Sequence, residues 1–323
     1  MSLASRWPRN SLLAVVLAGA TAGAADEGRQ SIEISALRDP VDKSYRKMVK
    51  GMDFFEEMHA MAPKATLRYK LLPRKRDTRM DGIALHVVAD RLDIPVAVAP
   101  DHTFTLPRER KALAADAAVR SERRASTMTW RAEIRTPGLP PDTRRLGDLR
   151  LECLVGVEAG LISQYPSAFD RLFDLVKSSR GYCTGADVRY LFFSERPLFG
   201  VTLAAGARRE TLPIDKLYAG ITRGRSKEEL SYCDCEVLLD RAYVLPLGDR
   251  SWPDDTRVEL DYMDAPGGSD PASHPIVGWT RADVALALGE AKVVQFDSGF
   301  ELWIYPFGLV ALFNSAGVVA KTR

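Results

Sequence analysis

The first two dozen residues constrain this chain more than any other stretch, because they set the compartment in which it must fold. Arg6 and Arg9 make a positive start, residues 12–22 form an uncharged and mostly apolar run, and Ala22-Gly23-Ala24 offers the small side chains a signal peptidase accepts. Spanning a bilayer takes about 20 apolar residues, and this run has 11. Cleavage between Ala24 and Ala25 is therefore expected, with the mature chain periplasmic or secreted. The two arginines are not adjacent, which argues against a twin-arginine signal and for a chain that crosses unfolded. No cysteine lies near the cleavage site, and no later segment approaches about 18 uninterrupted apolar residues. The mature protein is expected to be neither membrane-spanning nor lipid-anchored.

Export governs the reading of the rest. Removing residues 1–24 takes two arginines and no acids, so the 45 basic and 43 acidic residues of the full chain become 43 of each. A neutral chain lacks the basic face that nucleic-acid binding needs, and no nucleic-acid partner is expected. Hydrophobic content of 46% beside 27% charged residues is enough to build cores. The 299 residues left of 323 suggest two or three domains. Arg120, Arg123, Arg124 and Arg131 cluster locally and read as a solvated loop face rather than an anion site.

Cys153, Cys183, Cys233 and Cys235 are an even set in an oxidising compartment, which suggests disulfides. In an extended segment Cys233 and Cys235 point to the same side and lie badly for a bond to each other. Each is expected instead to meet Cys153 or Cys183. Cys-X-X-Cys spacing is absent and His59, His86, His102 and His274 are scattered, so neither redox chemistry nor a metal site is expected.

Periodicity then divides the chain. Residues 31–35 alternate like a short strand. Between 41 and about 61, Tyr45, Met48, Val49, Met52, Phe55 and Met58 recur at helical spacing, a stripe that suits a core and alternatively an adaptable binding surface. Candidate strands follow at 66–72, 83–89, 94–98, 102–106, 127–134 and 148–156, with an alanine-rich stretch at 110–119 that suits a helix. In the last strand, Leu149, Leu151, Cys153 and Val155 alternate with Arg150 and Glu152. A second helix is expected over 165–180, then a hairpin of 188–193 with 198–204, and strands at 235–239, 243–247 and 257–263. Leu139-Pro-Pro-Asp-Thr-Arg-Arg and Trp252-Pro-Asp-Asp-Thr-Arg-Val form a faint echo, either a repeat or shared turn chemistry. The expected fold class is α+β. Two β-rich, sandwich-like regions with flanking helices occupy 25–160 and 161–264, and a linker at 265–275 leads to a small helix-plus-sheet module at 276–323.

That last module is the most legible part. Thr280 and Asp283 form a capping box ahead of Val284, Leu286 and Leu288, and Gly289 ends the helix. Candidate segments at 292–296, 300–305, 309–313 and 318–321, with turns at Ser298-Gly299 and 314–317, read as a three-stranded antiparallel meander. The residues Gly278-Trp-Thr-Arg, Val284, Leu288-Gly289, Gly299, Trp303-x-Tyr305-x-Phe307, Val310-x-Leu312-Phe313, Gly317-x-Val319 and Lys321-Thr-Arg carry a resemblance. Over about the last 47 residues the chain resembles the BamE/SmpA–OmlA domain of bacterial outer-membrane assembly factors. The resemblance implies a helix-plus-sheet adaptor without catalytic activity that contacts other envelope proteins. This chain departs from the pattern in lacking the lipidation cysteine, in having Ala291 where a proline is common, and in lacking a first helix beside the second. Trp279, Trp303, Tyr305 and Phe307 are the candidate partner surface. Alternation puts Trp303 and Tyr305 on one face of their strand and Leu302 and Ile304 on the other. One pair must face a core, and the aromatics are the pair expected inside.

No catalytic residue and no cofactor is expected. Gly-X-Ser-X-Gly, His-Glu-X-X-His and a phosphate-cradling glycine loop are all absent. The close His–acid pairs are His86 with Asp90 and Asp101 with His102, while Asp254 and Asp255 sit beside Pro253 in a turn, where aspartate caps backbone. The sequence favours a non-catalytic envelope protein that binds other proteins through sheets or edge strands, in cell-envelope maintenance. The alternatives are a secreted hydrolase or carbohydrate-acting enzyme, with a polar cleft holding His86 or His102 beside carboxylates, and a small-ligand binder with a pocket between the β regions.

Overall fold

Ser44 ends the first strand and caps the first helix. β1 (Pro40–Ser44) runs straight into α1 (Tyr45–Met58), where the Ser44 hydroxyl accepts from the Lys47 amide at 3.4 Å. Tyr45, Met48 and Val49 are buried, and Met52, Phe55 and Met58 are half-buried against the same core. This computed structural model describes residues 40–161, 179–185, 190–223, 238–265 and 276–323, which belong to one compact unit, Ala36–Arg323. The signal segment with Ala24 and Ala25, the strand expected at 31–35, most of the helix at 165–180, Cys233, Cys235 and most of the linker lie outside the described residues. Helices mix with several antiparallel sheets, and the fold class is α+β.

The first region holds two sheets. β2 (Thr66–Pro73), β3 (Leu85–Ala89), β4 (Leu92–Val96), β5 (Thr103–Phe104), β6 (Ala118–Arg124) and β7 (Met128–Arg135) join β1 in the orders β1-β6-β3-β4 and β5-β2-β7. Both sheets and α1 enclose one core, with Tyr69, Phe104, Val119 and Trp130 among its buried members. The helix expected over 110–119 is shorter. α2 (Arg110–Ala114) gives way to β6, which places Arg120 and Arg123 on a strand rather than a loop.

The strand expected at 148–156 is a helix. α3 (Leu146–Glu158) is buried along most of its length, sending Leu149, Cys153 and Leu154 into one core and Leu151 and Val155 into the first-region core. A helix buried on all sides has no amphipathic stripe to read, so an incidental alternation of leucine, cysteine and valine imitates a strand. The remaining face carries Asp148, Glu152 and Gly156, four residues apart. Glu152 accepts from the Ile134 amide at 2.9 Å and from Arg144 Nη2 at 2.8 Å, and Arg144 also donates to the Ile134 carbonyl at 2.8 Å. Asp148 accepts from the Thr136 amide at 2.7 Å and the Thr136 hydroxyl at 2.9 Å. Residues four apart in a helix rise by about 6 Å, close to the roughly 6.8 Å between alternate amides of a strand. Two carboxylates of α3 thereby satisfy the end of the β7 edge. At Gly156 a Cβ would lie 2.5 Å from the Tyr190 hydroxyl, so the absence of a side chain there makes room for that phenol.

The second region is built from β8 (Thr143–Arg145), β9 (Leu191–Phe193), β10 (Leu198–Ala205), β11 (Arg208–Thr211), β12 (Ala242–Val244) and β13 (Arg257–Tyr262), in a sheet ordered β11-β10-β13-β8 and a β12–β9 pair. The hairpin expected between 188–193 and 198–204 does not form, since β9 pairs with β12 while β10 pairs with β11 and β13. Glu195-Arg196-Pro197 offers no glycine or asparagine for the positive φ of a tight hairpin turn. The internal echo is shared turn chemistry: Thr143 N donates to Pro140 O and Thr256 N to Pro253 O, and the strands that follow pair with each other. The second turn also serves α3, whose first amides, Leu146 and Gly147, donate to Thr256 O and Asp254 O.

The short helix α4 (Ser179–Thr184) brings Cys183 to Cys153, and the two form a disulfide across 30 residues of sequence. This corrects the expected pairing of each with Cys233 or Cys235, which argued from the unsuitability of Cys233 and Cys235 for each other. Because α3 is a helix, Cys153 points into the core where α4 packs.

In the C-terminal part the capping box forms as expected. Thr280 and Asp283 exchange hydrogen bonds at the start of α5 (Arg281–Leu288), and Gly289 ends it at φ 77°. All four candidate segments pair, so the sheet has four strands rather than three, in the order β14 (Lys292–Gln295), β15 (Glu301–Ile304), β16 (Val310–Phe313), β17 (Val319–Thr322). One face, with Val294, Leu302, Val310 and Leu312, closes the core of the second region. The other packs with Val284 of α5 around Tyr305, Ala311, Phe313 and Val319. Lys321 Nζ fastens the last strand to β13, 2.5 Å from Asp261 Oδ1 and 2.7 Å from Tyr262 O. Among the described residues, no helix is long and apolar enough to cross a membrane.

Candidate functional site

Of the four aromatic residues expected as a partner surface, three belong to packed structure. Tyr305 is buried, and Trp279 and Trp303 are half-buried against the α5 core. The Trp303 ring lies 4.8 Å from that of Phe313, and its indole N–H donates to Glu301. Phe307 differs. It is 65% exposed and stacks on Tyr305 at 5.2 Å. Both sheet faces are covered, so the choice between aromatic and aliphatic faces posed by alternation does not arise.

Glu301 is the hub of this face. Arg281 donates to it through two nitrogens at 3.2 and 3.3 Å, and Gln295 Nε2 donates at 3.2 Å. Desolvation pushes its carboxyl up, but the hydrogen bonds from Trp303, Arg281 and Gln295 and the Arg281 charge outweigh it and hold the group below the usual carboxylate range. At Gly317, φ 75°, a side chain would be strained, and its Cβ, 2.2 Å from Arg281 Nη1, would push the guanidinium aside.

A sheet edge exposes unpaired amides, and proteins usually defend it. Among the described residues the defences are visible strand by strand. β1 carries Pro40 and β4 carries Pro95. β11 is an exposed Arg208-Arg209-Glu210-Thr211 run. The end of β7 is capped by α3. β17 is closed by the segment before α5, where Gly278 N donates to Val319 O and Val319 N to Trp279 O. β5 is only two residues long, and β8, β9 and β12 are three residues each.

β14 has little of this. It contains no proline and one charge, Lys292, and its Val293 side chain is 47% exposed. Phe296 N donates to Phe300 O, and β14 pairs with β15 through Val294↔Leu302 and Lys292↔Ile304. Strand alternation then turns the N–H and C=O of Val293 and Gln295 away from β15. The described residues include three exposed large hydrophobics, Leu286, Val293 and Phe307, and all lie in this C-terminal part.

Past Gln295 the edge runs into a cleft of about 540 Å³. Arg74, Lys75, Arg76 and Asp77 form one wall, Gln295, Phe296 and Asp297 another, and Ile221, Leu238, Leu239 and Asp240 complete the lining. Arg76 Nη1 donates to Asp297 O at 2.8 Å, bridging the two walls. Asp240 is only 6% exposed, and its Oδ1 has no hydrogen-bond partner. Neither the β14 edge nor Asp240 was expected from sequence. The available signal was the Val293-Val294 pair with a single flanking lysine.

The other sequence candidates disperse. His86 Nδ1 meets Asp93, not Asp90, at 2.6 Å across the β3–β4 hairpin, as a largely exposed pair. Asp101 binds the Thr103 amide and hydroxyl rather than His102. Asp254 pairs with Arg150 at 2.6 Å. Arg120 pairs with Asp42 at the surface, but Arg131 is buried beneath the rings of Tyr190 and Phe193, which corrects its reading as part of a solvated face. Among the described residues, no group of three His, Cys, Asp or Glu side chains could hold a metal ion. The chain matches no known protein family, no curated protein and no solved structure.

Proposed function

We propose that this chain is a non-catalytic protein of the cell envelope, periplasmic or secreted, that acts by docking other envelope proteins on the open edge of its C-terminal sheet. The observation that carries this reading is β14, a lightly defended edge with exposed Val293, where the other edges among the described residues are blocked, charged, capped or very short. An extended segment added there would gain main-chain hydrogen bonds from Val293 and Gln295, the mode by which many adaptors take up peptides. The Cys153–Cys183 disulfide supports an oxidising compartment. The resemblance of residues 276–323 to an outer-membrane assembly-factor domain supports the adaptor class, with cell-envelope maintenance as its setting.

A photoreactive amino acid placed at position 293, irradiated in intact envelopes, tests the reading. Discrete adducts are expected at 293 and not at Glu210 on the charged edge β11. Equal labelling at both positions, or none at 293, would overturn it.

A further inference from the structure

The edge and the cleft are continuous, since Gln295 belongs to both. A strand laid along β14 and extended past Gln295 reaches the mouth of the cleft, where Arg76 already holds the Asp297 carbonyl. What lines the cleft there is Asp240, buried at 6% exposure, whose Oδ1 accepts no hydrogen bond among the described residues. The neighbouring Arg241 attracts it by charge but makes no hydrogen bond to it among the described residues, and its own Nε is buried without a partner. A buried carboxylate is costly unless paired, and the lining residues nearest to it in sequence, Leu238 and Leu239, offer no donor side chain. Of the cations that line the cleft, Arg76 is tied to the Asp297 carbonyl and Arg74 Nε to the Met128 carbonyl at 3.2 Å, and no hydrogen bond joins Lys75 to Asp240 among the described residues.

Resting on the function proposed above, we propose that the segment taken up by β14 is an extended peptide bearing an arginine or lysine, whose cationic side chain enters the cleft and pairs with Asp240. The edge supplies main-chain affinity without regard to sequence. Asp240 supplies the choice of side chain, since alternate residues of the added strand point the same way and one of them reaches the cleft. Arg74, Lys75 and Arg76 then disfavour a second basic residue at the mouth and favour an acidic one.

A displayed library of eight-residue peptides, selected on the full mature chain, tests this. The wild type is expected to select peptides with a basic residue fixed at one position within a β-branched run. Asp240→Asn should lower affinity for the selected peptides by about tenfold or more, and Asp240→Glu should keep the basic preference. Val293→Pro should abolish binding of every selected peptide, because the Val293 amide points outward and its loss spares the internal ladder; an unchanged thermal melt confirms the fold of each variant. Selection of acidic or neutral residues at that position, a basic preference that survives Asp240→Asn, or no selection at all would overturn the Asp240 anchor. If selected peptides still bind Val293→Pro, the edge itself is wrong, and so is the functional reading. A concentration-dependent dimer lost in Val293→Pro, without peptide selection, would assign the edge to a second copy and overturn the anchor.

Discussion

β7 and β14 are both edge strands, and they are finished in opposite ways. At the end of β7 the outward amides of Ile134 and Thr136 are met by two carboxylates spaced four apart on α3, and Arg144 closes the adjacent carbonyl. At β14 the outward groups of Val293 and Gln295 meet nothing among the described residues. The same chain thus spends buried charge to seal one edge and leaves another bare. Two glutamates mark the contrast. Burial raises the Glu152 carboxyl, with Arg144 and the Ile134 amide opposing, whereas at Glu301 the hydrogen bonds win and the carboxyl is lowered.

The largest expected effect lies at the sealed edge. Glu152→Ala strands Arg144 in the interior and orphans the Ile134 amide, which should cost about 3–5 kcal/mol in urea unfolding. A loss under about 1 kcal/mol would mean that α3 does not seal β7. Trp303→Ala comes next, removing the ring packed on Phe313 and one hydrogen bond to Glu301, for about 2–3 kcal/mol of stability. Unchanged stability with lost photocrosslinking at position 293 would instead make Trp303 part of the docking surface.

A pH titration gives a smaller effect. Because the Glu301 carboxyl is lower in the folded chain than in the unfolded one, its contribution is present above the unfolded value of about 4.3. It is lost as pH falls through the folded value. Glu301→Gln should therefore flatten the acid limb of the stability profile and leave its neutral-to-alkaline slope alone. A variant profile parallel to the wild type throughout would show that the carboxylate is not held by Arg281. Smallest of all is Val293→Pro, which should change stability by no more than about 0.5 kcal/mol; a loss above about 2 kcal/mol would show that the Val293 amide is bonded within the fold and the edge is not open.

Much of the fold was legible where periodicity and capping speak locally. β2, β7, β13, α1, the Thr280–Asp283 capping box and the turns of the C-terminal sheet fall at or near their expected places, because each depends on residues within a few positions of one another. The candidate site was less legible. Phe307 was singled out and is exposed, but Trp279, Trp303 and Tyr305 were singled out and are packed, since a strand's alternation does not tell whether its second face is also covered. β14 was overlooked as an edge because the module was read as three-stranded.

Local chemistry by itself determined the α+β character, the apolar stripe of α1, the start and stop of α5, and the expectation of disulfide chemistry in an exported chain. Only the tertiary structure decided that α3 is a helix, that Cys153 bonds Cys183, and that the open edge of β14 adjoins a cleft lined by Asp240. The reason is the same in each case. α3 is buried on every side, so it has no solvent-exposed face to give its period away. A disulfide partner and an edge's exposure depend on what packs nearby from 30 or more residues off, and no pattern within a single segment records that.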